Sequence, residues 1–350
     1  MPHLPLALDA MGGDRMPDAA VDGALAAVRD PGDGLRVLLV GDEAALRAAL
    51  DARPEAAEAL ASGALAVRHA PDVVAMEEAA TDVRRRTGSS VRVAADAVKA
   101  GDAAALVSMG HSGATLATAL LAFGRVRGLD RPAITATLPA AARPVTLLDV
   151  GANADAKPRM LQQFAVLGSV HARLVHGVER PTVGLLSIGE EPGKGNELVR
   201  ATYPLLEATP GVAFHGNVEG RDLLEGTTDV VVTDGFTGNV ALKLAEGEAR
   251  VLFRWIREAL RAGPRAMLGG WLAKPALRGI GARLDPSTYG AQPLLGVKAP
   301  TFIGHGSADA RAVANALRFA AQAVRDDLVG RTSTALADAA AADPHDAPDG

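Results

Sequence analysis

Residues Thr182–Glu197, TVGLLSIGEEPGKGNE, carry the pattern that decides our fold prediction. The apolar run over residues 183–188 predicts a buried strand of a parallel sheet. A glycine loop that contains Lys194 follows, and a helical pattern begins near Leu198. Strand, glycine loop and helix form the arrangement with which α/β proteins present backbone N–H groups and a cation to a phosphate. A single loop of this kind is equally compatible with an ordinary turn that carries an exposed lysine.

Several other predicted strands also end in loops of glycine, amide or hydroxyl residues, which favours phosphate binding. We predict strands over residues 4–9, 35–40, 65–67, 103–108, 145–150, 212–214, 229–233 and 301–303. Helical patterns separate most of them, so the predicted fold class is α/β with a doubly wound, mostly parallel sheet. The carboxyl ends of such strands line one crevice in which ligands bind. The candidate phosphate- or substrate-binding residues on these loops are Asp9, Gly12, Gly13, Ser112, Gly113, Asn153, Gly193, Gly195, Asn196, Asp234 and His305.

Composition and missing motifs exclude several classes of function. The chain has 350 residues and a net charge of −5, which argues against nucleic-acid binding. It has no cysteine, so a disulfide, a thiolate metal site and a cysteine nucleophile are all excluded. It shows neither a long apolar run nor a signal peptide, and we therefore expect a cytoplasmic protein without a membrane span. The motifs G-x-G-x-x-G, H-E-x-x-H and G-x-S-x-G do not occur, so we predict no metal and no cofactor.

Two regions concentrate positive charge despite the acidic balance of the whole chain. Arg84–Arg86 form either a solvated face or a contact with an anionic ligand or partner. Residues 261–284 contain five basic residues, no acidic residue and several large apolar ones including Trp271. This composition predicts a basic amphipathic helical insertion that contacts an anionic membrane, or a helical hairpin that packs on the body or on a second subunit. Pro275 and several glycines are expected to interrupt a long helix there.

The carboxyl-terminal end differs in composition from the rest of the chain. From Arg331 onward the sequence is rich in alanine, aspartate and proline and shows no core-forming pattern. We therefore predict a single α/β catalytic domain over residues 1–330 and a disordered tail over residues 331–350.

Six short sequence motifs, taken together, are highly specific for one protein family. They are residues 8–14 (LDAMGGD), 148–153 (LDVGAN), 193–197 (GKGNE), 216–219 (GNVE), 233–240 (TDGFTGNV) and 304–307 (GHGS). With these motifs in this order, the chain resembles the phosphate acyltransferase family PlsX of bacterial phospholipid synthesis. The resemblance extends from about residue 4 to residue 328.

The resemblance implies a fold, a reaction and a set of partners. The fold is that of phosphotransacetylases and of isocitrate and isopropylmalate dehydrogenases. The reaction converts acyl-[acyl carrier protein] and phosphate into acyl phosphate and free carrier protein, for phosphatidic acid synthesis. The expected partners are acyl carrier protein, a second copy in a homodimer, the inner face of the membrane and a membrane glycerol-3-phosphate acyltransferase.

The chemistry of this reaction agrees with the residues present. Phosphate is a nucleophile near pH 7 and a thiolate is a tolerable leaving group, so the enzyme has mainly to position phosphate and stabilise an oxyanion. Lys194 is the expected cation for phosphate or for the developing charge. Asn239, together with Asn217 or Asn153, is expected to donate hydrogen bonds to the oxyanion.

The chain departs from the family pattern at several positions, and two alternative functions remain open. The family usually has asparagine at the position of His111, and it differs at Thr87 and Gly88, before the two serines at 89 and 90. The first alternative is a phosphotransacetylase that uses coenzyme A. The second is a non-catalytic scaffold that recruits lipid-synthesis enzymes through residues 261–284.

Overall fold

The computed structural model describes residues 4–29, 34–288 and 290–342. Its strands are β1 (Leu6–Asp9), β2 (Val37–Gly41), β3 (Leu65–His69), β4 (Ala105–Ser108), β5 (Ala133–Leu138), β6 (Val145–Leu148), β7 (Thr182–Leu186), β8 (Ala213–Val218), β9 (Val230–Val232), β10 (Ala291–Leu295) and β11 (Thr301–Gly304). Its helices are α1 (Asp18–Val28), α2 (Glu43–Asp51), α3 (Ala56–Ala61), α4 (Ser90–Ala100), α5 (Ser112–Ala122), α6 (Pro158–His176), α7 (Glu197–Ala208), α8 (Asp222–Glu225), α9 (Gly235–Ala259), α10 (Pro264–Leu284), α11 (Ala310–Arg325) and α12 (Leu328–Ala341).

One eleven-stranded sheet runs through the molecule in the order β3-β2-β1-β4-β11-β10-β5-β6-β9-β7-β8. Three neighbouring pairs at the centre of the sheet are antiparallel, namely β11–β10, β10–β5 and β5–β6. On either side of this centre, neighbouring strands are parallel. The sheet thus consists of two parallel halves joined by a short antiparallel seam. The predicted α/β fold with a mostly parallel sheet is confirmed.

The two strands of the seam, β5 and β10, are the ones that the sequence patterns did not predict. Pro293 lies inside β10, and proline usually argues against a central strand. Thr135 Oγ1 of β5 donates to the Pro293 carbonyl oxygen at 3.2 Å, which links the two seam strands at this proline. Strand β5, AITATL, is flanked by Pro132 and Pro139, but its alternating alanines and threonines give no clear apolar run.

Aliphatic side chains from both sheet faces form the core, as the low aromatic content suggests. The largest fully buried side chains include Phe164 of α6 and Phe302 of β11. Helices α1 and α11 pack closely against each other beside the first half of the sheet, and α6 covers the second half. These helices leave the carboxyl ends of the parallel strands accessible for a site.

The basic segment over residues 261–284 differs from its prediction in two respects. Helix α10 runs without interruption from Pro264 to Leu284 with Pro275 inside it, so the expected break is absent. The segment is also not amphipathic in the usual sense. At about 100° per residue, Arg265 and Arg283 lie on one side of α10 and Lys274 and Arg278 on the opposite side. No described residue of α10 is buried.

The predicted disordered tail is wrong over its first part. Residues 331–341 belong to helix α12, which packs against α6. Leu328, Thr332 and Leu336 lie four residues apart and are buried, and the alanines around them favour helix. An alanine-rich stretch therefore forms a helix here because a neighbouring helix covers its narrow apolar stripe. Residues 343–350 of the predicted tail lie outside the described residues.

Among the described residues, no helix is both long enough and apolar enough to cross a membrane.

Candidate active site

The loops of the first half of the sheet are held together by a buried carboxylate. Asp9 Oδ1 accepts from the backbone N–H groups of Met11 and Gly12 at 3.3 and 3.1 Å, and Oδ2 accepts from Ser108 Oγ at 2.8 Å. Asp9 is only 3% exposed. A Cβ on Gly12 would lie 2.6 Å from Asp9 Oδ2 and 2.8 Å from Gly110 Cα. Asp9 and Gly12, both predicted ligand-binding residues, therefore shape this loop and bring it against the loop after β4.

The loop after β11 joins the same cluster. Gly13 has a φ of +120°, which favours glycine, and a Cβ there would lie 3.0 Å from the Gly306 carbonyl oxygen. Asp14 N donates to the same Gly306 oxygen at 2.8 Å. The loops after β1, β4 and β11 thus converge, as the doubly wound topology predicts.

A second buried carboxylate, Asp149, organises the loop after β6. Its Oδ1 accepts from the N–H groups of Ile134, Gly151 and Ala152, at 3.0 to 3.2 Å. Its Oδ2 accepts from Asn153 N at 2.7 Å and Asn153 Nδ2 at 2.9 Å. Burial raises the pKa of Asp149, although these hydrogen bonds act in the opposite direction. The LD-x-x-G and LD-x-G sequences after β1 and β6 are the signal that would have identified Asp149 as the counterpart of Asp9.

The amino-terminal end of α9 packs directly on this loop. Gly235 N donates to the Asn153 carbonyl oxygen at 2.7 Å, and a Cβ on Gly238 would lie 2.0 Å from the Asp149 carbonyl oxygen. Asp234 caps the helix, because its Oδ1 accepts from Thr237 N at 2.8 Å. These contacts place the amino-terminal end of α9, with Asn239 as its fifth residue, against the loop after β6.

The three candidate oxyanion donors differ in what their amides already bind. Both Nδ2 hydrogens of Asn153 are engaged, with the Pro132 carbonyl oxygen at 2.8 Å and with Asp149. Asn217 is 3% exposed and its Nδ2 donates to the Glu191 carbonyl oxygen at 2.8 Å. Asn239 is exposed and uses one amide hydrogen, toward the Val150 carbonyl oxygen at 2.9 Å. Asn239 thus keeps an exposed donor for a ligand, the spare amide hydrogen of Asn217 is buried, and Asn153 has none to spare.

The glycine loop after β7 presents its lysine to solvent. Lys194 is exposed, and within the described parts of the chain its Nζ makes no ion pair or hydrogen bond. Gly195 has a φ of +101°, and a Cβ there would lie 2.6 Å from Val199. A Cβ on Gly193 would meet no atom within 4 Å. The loop therefore needs glycine at 195 for its own fold, while Gly193 leaves open space beside Lys194.

Helix α7 begins directly after this loop, at a helix cap. Asn196 Oδ1 accepts from Val199 N at 2.9 Å. Asn196 was predicted to bind substrate, but the structure engages its side-chain oxygen as the cap of α7. The N–H groups of the first turn then face the loop that carries Lys194, the usual arrangement at an anion site.

Helix α5 shows how the chain accommodates its departure from the family at position 111. His111 Nδ1 accepts from Ala114 N at 3.2 Å, so the imidazole caps α5 as an asparagine oxygen would. Ser112 follows as the first residue of α5 and is exposed. A Cβ on Gly113 would lie 2.9 Å from Ala80 Cβ, so glycine there permits the close approach of the segment around residue 80.

The three arginines at residues 84–86 differ in whether they are free to contact an anionic ligand or partner. Arg86 binds Asp72 Oδ1 at 2.9 Å, the Val73 carbonyl oxygen at 2.8 Å and the Glu78 carboxylate, so it fastens its own segment. Arg84 and Arg85 are exposed.

One contact across the crevice was not predicted from the sequence. Lys243 Nζ lies 2.8 Å from His305 Nε2 and 2.9 Å from Glu246 Oε2, and His305 Nε2 lies 3.7 Å from Glu246 Oε1. Hydrogen bonding to His305 and to Lys243 lowers the pKa of Glu246 to about 2, although burial opposes this. The predicted residue His305 thereby meets α9, which carries Asn239. Lys243 lies four residues after Asn239, and that spacing is the signal that would have identified it.

Among the described residues, no group of three or more histidine, cysteine, aspartate or glutamate side chains is placed to hold a metal ion.

Comparison with known proteins identifies the family. The model of the fatty acid synthesis protein family matches residues 4–331 of the chain. The chain belongs to this family. It is 57% identical to a phosphate acyltransferase of Thermus thermophilus over 331 residues, covering 95% of this chain and 98% of the relative. It is 49% identical to the phosphate acyltransferase of Elusimicrobium minutum, with 93% of each chain covered.

Solved structures support the fold of this family member. The phosphotransacetylase from Streptococcus pyogenes matches with a TM-score of 0.58 at 16% identity, covering 92% of this chain and 94% of that one. The EutD phosphotransacetylase from Staphylococcus aureus matches with a TM-score of 0.54 at 16% identity, with the same coverage. At this identity the likeness shows the fold alone.

These findings confirm the resemblance to the phosphate acyltransferase family that the six motifs indicated. They also support the coarser part of the predicted function, an acyltransferase of the fatty acid and phospholipid synthesis family.

Proposed function

We propose that the protein transfers a fatty acyl group from acyl-[acyl carrier protein] to inorganic phosphate and so forms acyl phosphate for phosphatidic acid synthesis. The observation that carries the proposal is that two exposed groups follow the carboxyl ends of the neighbouring parallel strands β7 and β9. Lys194 has an ammonium without an ion pair among the described residues, and Asn239 keeps an amide hydrogen for a ligand. The family relatives named phosphate acyltransferases support the same chemistry.

The reaction requires one bond to form and one to break. A phosphate oxygen attacks the thioester carbonyl carbon and produces a tetrahedral intermediate whose oxygen carries the negative charge. The carbonyl reforms as the carbon–sulfur bond breaks, and the thiolate of the carrier protein leaves with the electron pair. Lys194 and the N–H groups of the glycine loop hold phosphate, and Asn239 donates to the oxyanion. No covalent intermediate with the protein is needed.

The partners in the proposal follow from charge and exposure. Carrier proteins are acidic, and the exposed Arg84, Arg85 and the basic residues of 261–284 are complementary to such a partner. We propose that helix α10, whose Met267, Leu268, Trp271 and Leu272 are more than half exposed, makes peripheral contact with anionic membrane. We also propose that the protein is a homodimer and that a membrane glycerol-3-phosphate acyltransferase takes up the acyl phosphate. The protein would act at the cytoplasmic surface of the membrane.

The test measures phosphate-dependent release of carrier-protein thiol from palmitoyl-[acyl carrier protein]. We expect release with stoichiometric acyl phosphate, and Lys194→Ala should lower turnover at saturating phosphate by roughly 10²–10³-fold, the usual effect of removing one group that stabilises the transition state. Lys298→Ala, a change at another exposed lysine, should leave turnover within about twofold.

Each other result has a distinct meaning. Near-normal turnover of Lys194→Ala would remove Lys194 from the mechanism. Thiol release from acyl-coenzyme A but not from the carrier protein would establish a phosphotransacetylase, the activity of the structural neighbours. No release from either donor would leave the scaffold as the remaining function.

A further inference from the structure

Helix α9 contacts loops from both halves of the sheet at the candidate active site. It begins directly after β9, in the second half, and its first turn packs on the loop after β6. Further along the helix, Lys243 reaches His305, which follows β11 in the first half. The loop of His305 in turn holds the loop after β1, because Asp14 N donates to the Gly306 carbonyl oxygen at 2.8 Å.

The side chains that make these contacts lie on one flank of α9. Asn239, Lys243 and Glu246 are four and three residues apart, spacings at which side chains of a helix are neighbours. Asn239 Nδ2 donates to the Val150 carbonyl oxygen at 2.9 Å, and Lys243 Nζ lies 2.8 Å from His305 Nε2. The candidate oxyanion donor and the contact with the first half are thus about one helical turn apart on the same flank.

The contact between Lys243 and His305 fixes where the neutral imidazole carries its proton. An ammonium group has three N–H donors and no acceptor, so Lys243 Nζ donates and His305 Nε2 accepts. A neutral His305 therefore carries its proton on Nδ1. Glu246 Oε2 accepts from the same ammonium at 2.9 Å, which holds the lysine toward His305. A charged imidazole would have no acceptor left for Lys243, and Glu246 Oε1, 3.7 Å from Nε2, would become its partner.

The apolar packing of α9 does not fix the loop after β11. Gly235 and Gly238, near the start of the helix, are its buried residues, and they lie against the loop after β6. Ala241 and Leu242 are half-buried on the core beside β5 and β6. Lys243 adds a polar contact with the first half to this packing, so it sets the position of the His305 loop relative to the helix.

We propose that Lys243 is a positioning residue of the acyl transfer, which acts through His305 to fix the loop after β11 against α9 and so sets the width of the crevice beside Asn239. The inference rests on the proposed function, in which Asn239 donates to the oxyanion. Lys194 follows β7, on the other side of β9 from β6, and is not part of this contact. Loss of the contact should therefore lower turnover while the binding of phosphate at Lys194 is kept.

The experiment measures kcat and the KM for phosphate by thiol release at pH 8, where imidazole is neutral. Lys243→Met removes the donor, and we expect kcat to fall roughly ten- to hundredfold with the KM within about threefold, since a shift of about 1 Å at a positioned group has this effect. Lys243→Arg keeps N–H donors and should recover most of the turnover. Lys99→Met, at an exposed lysine of α4, is the matched control and should leave both constants within about twofold.

A double-mutant cycle tests whether Lys243 acts through His305. Lys243→Met should add less than about twofold to the loss already caused by His305→Ala, because two groups that act as one unit are not additive. The ¹⁵N resonances of the His305 ring, assigned by their absence in His305→Ala, give a readout that does not depend on activity. They should show the proton on Nδ1 in the wild type and a mixture of tautomers in Lys243→Met.

Additive losses in the double variant would overturn the proposal, as would a wild-type His305 with its proton on Nε2. A raised KM for phosphate with unchanged kcat in Lys243→Met would also overturn it and would make Lys243 a phosphate-binding group. A wild-type protein without phosphate-dependent thiol release would instead refute the proposed function, whereas the tautomer of His305 could still be measured.

Discussion

Two aspartates at strand ends perform the same task in the two halves of the sheet. Asp9 and Asp149 are each buried, and each accepts backbone N–H groups of the loop that follows it. Carboxylates suit this role because they accept several hydrogen bonds and donate none. The groups that are left to face the crevice are backbone donors, Asn239 and Lys194, so the buried carboxylates act by positioning rather than by contact.

At Asp149 we expect a conservative change to be costly. In Asp149→Asn one carboxylate oxygen becomes an NH₂ group, which would face backbone N–H donors and lose their hydrogen bonds. The free energy of unfolding should fall by about 2–4 kcal/mol, and turnover should fall at least tenfold, because the loop beneath Asn239 shifts. Urea unfolding and the thiol-release assay measure the two effects. Asp155→Asn, at an exposed aspartate of the same loop region, should change neither.

At His111 we expect the function of the cap to matter more than the residue type. His111→Asn should keep stability and turnover close to the wild-type values, since asparagine supplies an equivalent acceptor for Ala114 N. His111→Ala removes the acceptor and should lower the free energy of unfolding by about 1 kcal/mol. A change in turnover of more than tenfold in His111→Asn, in either direction, would mean that the imidazole has a catalytic role that its capping geometry does not show.

At the scale of secondary-structure elements, helix α6 and strand β6 share a buried imidazole pair. Thr146 Oγ1 lies 3.2 Å from His171 Nδ1 and 3.1 Å from His176 Nε2, and the two rings meet edge to face. Residues five apart on a helix do not usually share a face, yet both rings reach the same threonine. Burial lowers the pKa of both histidines, that of His171 to about 3. Both imidazoles are therefore neutral in the folded protein near pH 7.

This pair predicts a dependence of stability on pH. Below a pH of about 6.5 the unfolded chain binds a proton at His171 and the folded protein does not, and the lowered pKa of His176 acts in the same direction. The free energy of unfolding should therefore fall as the pH drops from 6.5 toward 3, by up to about 1.4 kcal/mol per pH unit for His171. Urea midpoints at pH 7, 6 and 5 measure it. His171→Asn should reduce the slope, whereas His215→Asn, at an exposed histidine, should not; equal slopes in all three proteins would contradict the prediction.

At the scale of the whole molecule, charge is distributed unevenly. The chain carries a net charge of −5, whereas residues 261–284 contain five basic residues and no acidic one, so the remainder carries −10. Helix α10 also holds the exposed Trp271 and Leu272. The body of the protein is thus repelled by an anionic surface that attracts this helix, which would orient the molecule on a membrane.

Binding to vesicles tests this orientation. We expect the protein to float with vesicles that contain phosphatidylglycerol and not with vesicles of phosphatidylcholine alone, and to be released as salt concentration rises. Trp271→Ser combined with Leu272→Ser should lower the bound fraction at least fivefold. Leu224→Ser, at an exposed leucine of α8, is the matched control. Flotation that is unaffected by the α10 changes would move membrane contact to another surface.

The sequence by itself determined the alternation of strands and helices, the glycine loops at the strand ends and the choice of Lys194 as the candidate cation. These depend on local spacing and on residue chemistry, which a linear pattern records. Tertiary structure decided what the pattern could not contain. It inserted β5 and β10 as an antiparallel seam, made α12 from an alanine-rich end, and left Asn239 as the one exposed amide of the three candidates. Hydrogen-bond partners and covering helices come from distant parts of the chain, so the same asparagine side chain holds a loop or faces a ligand according to which groups the fold brings beside it.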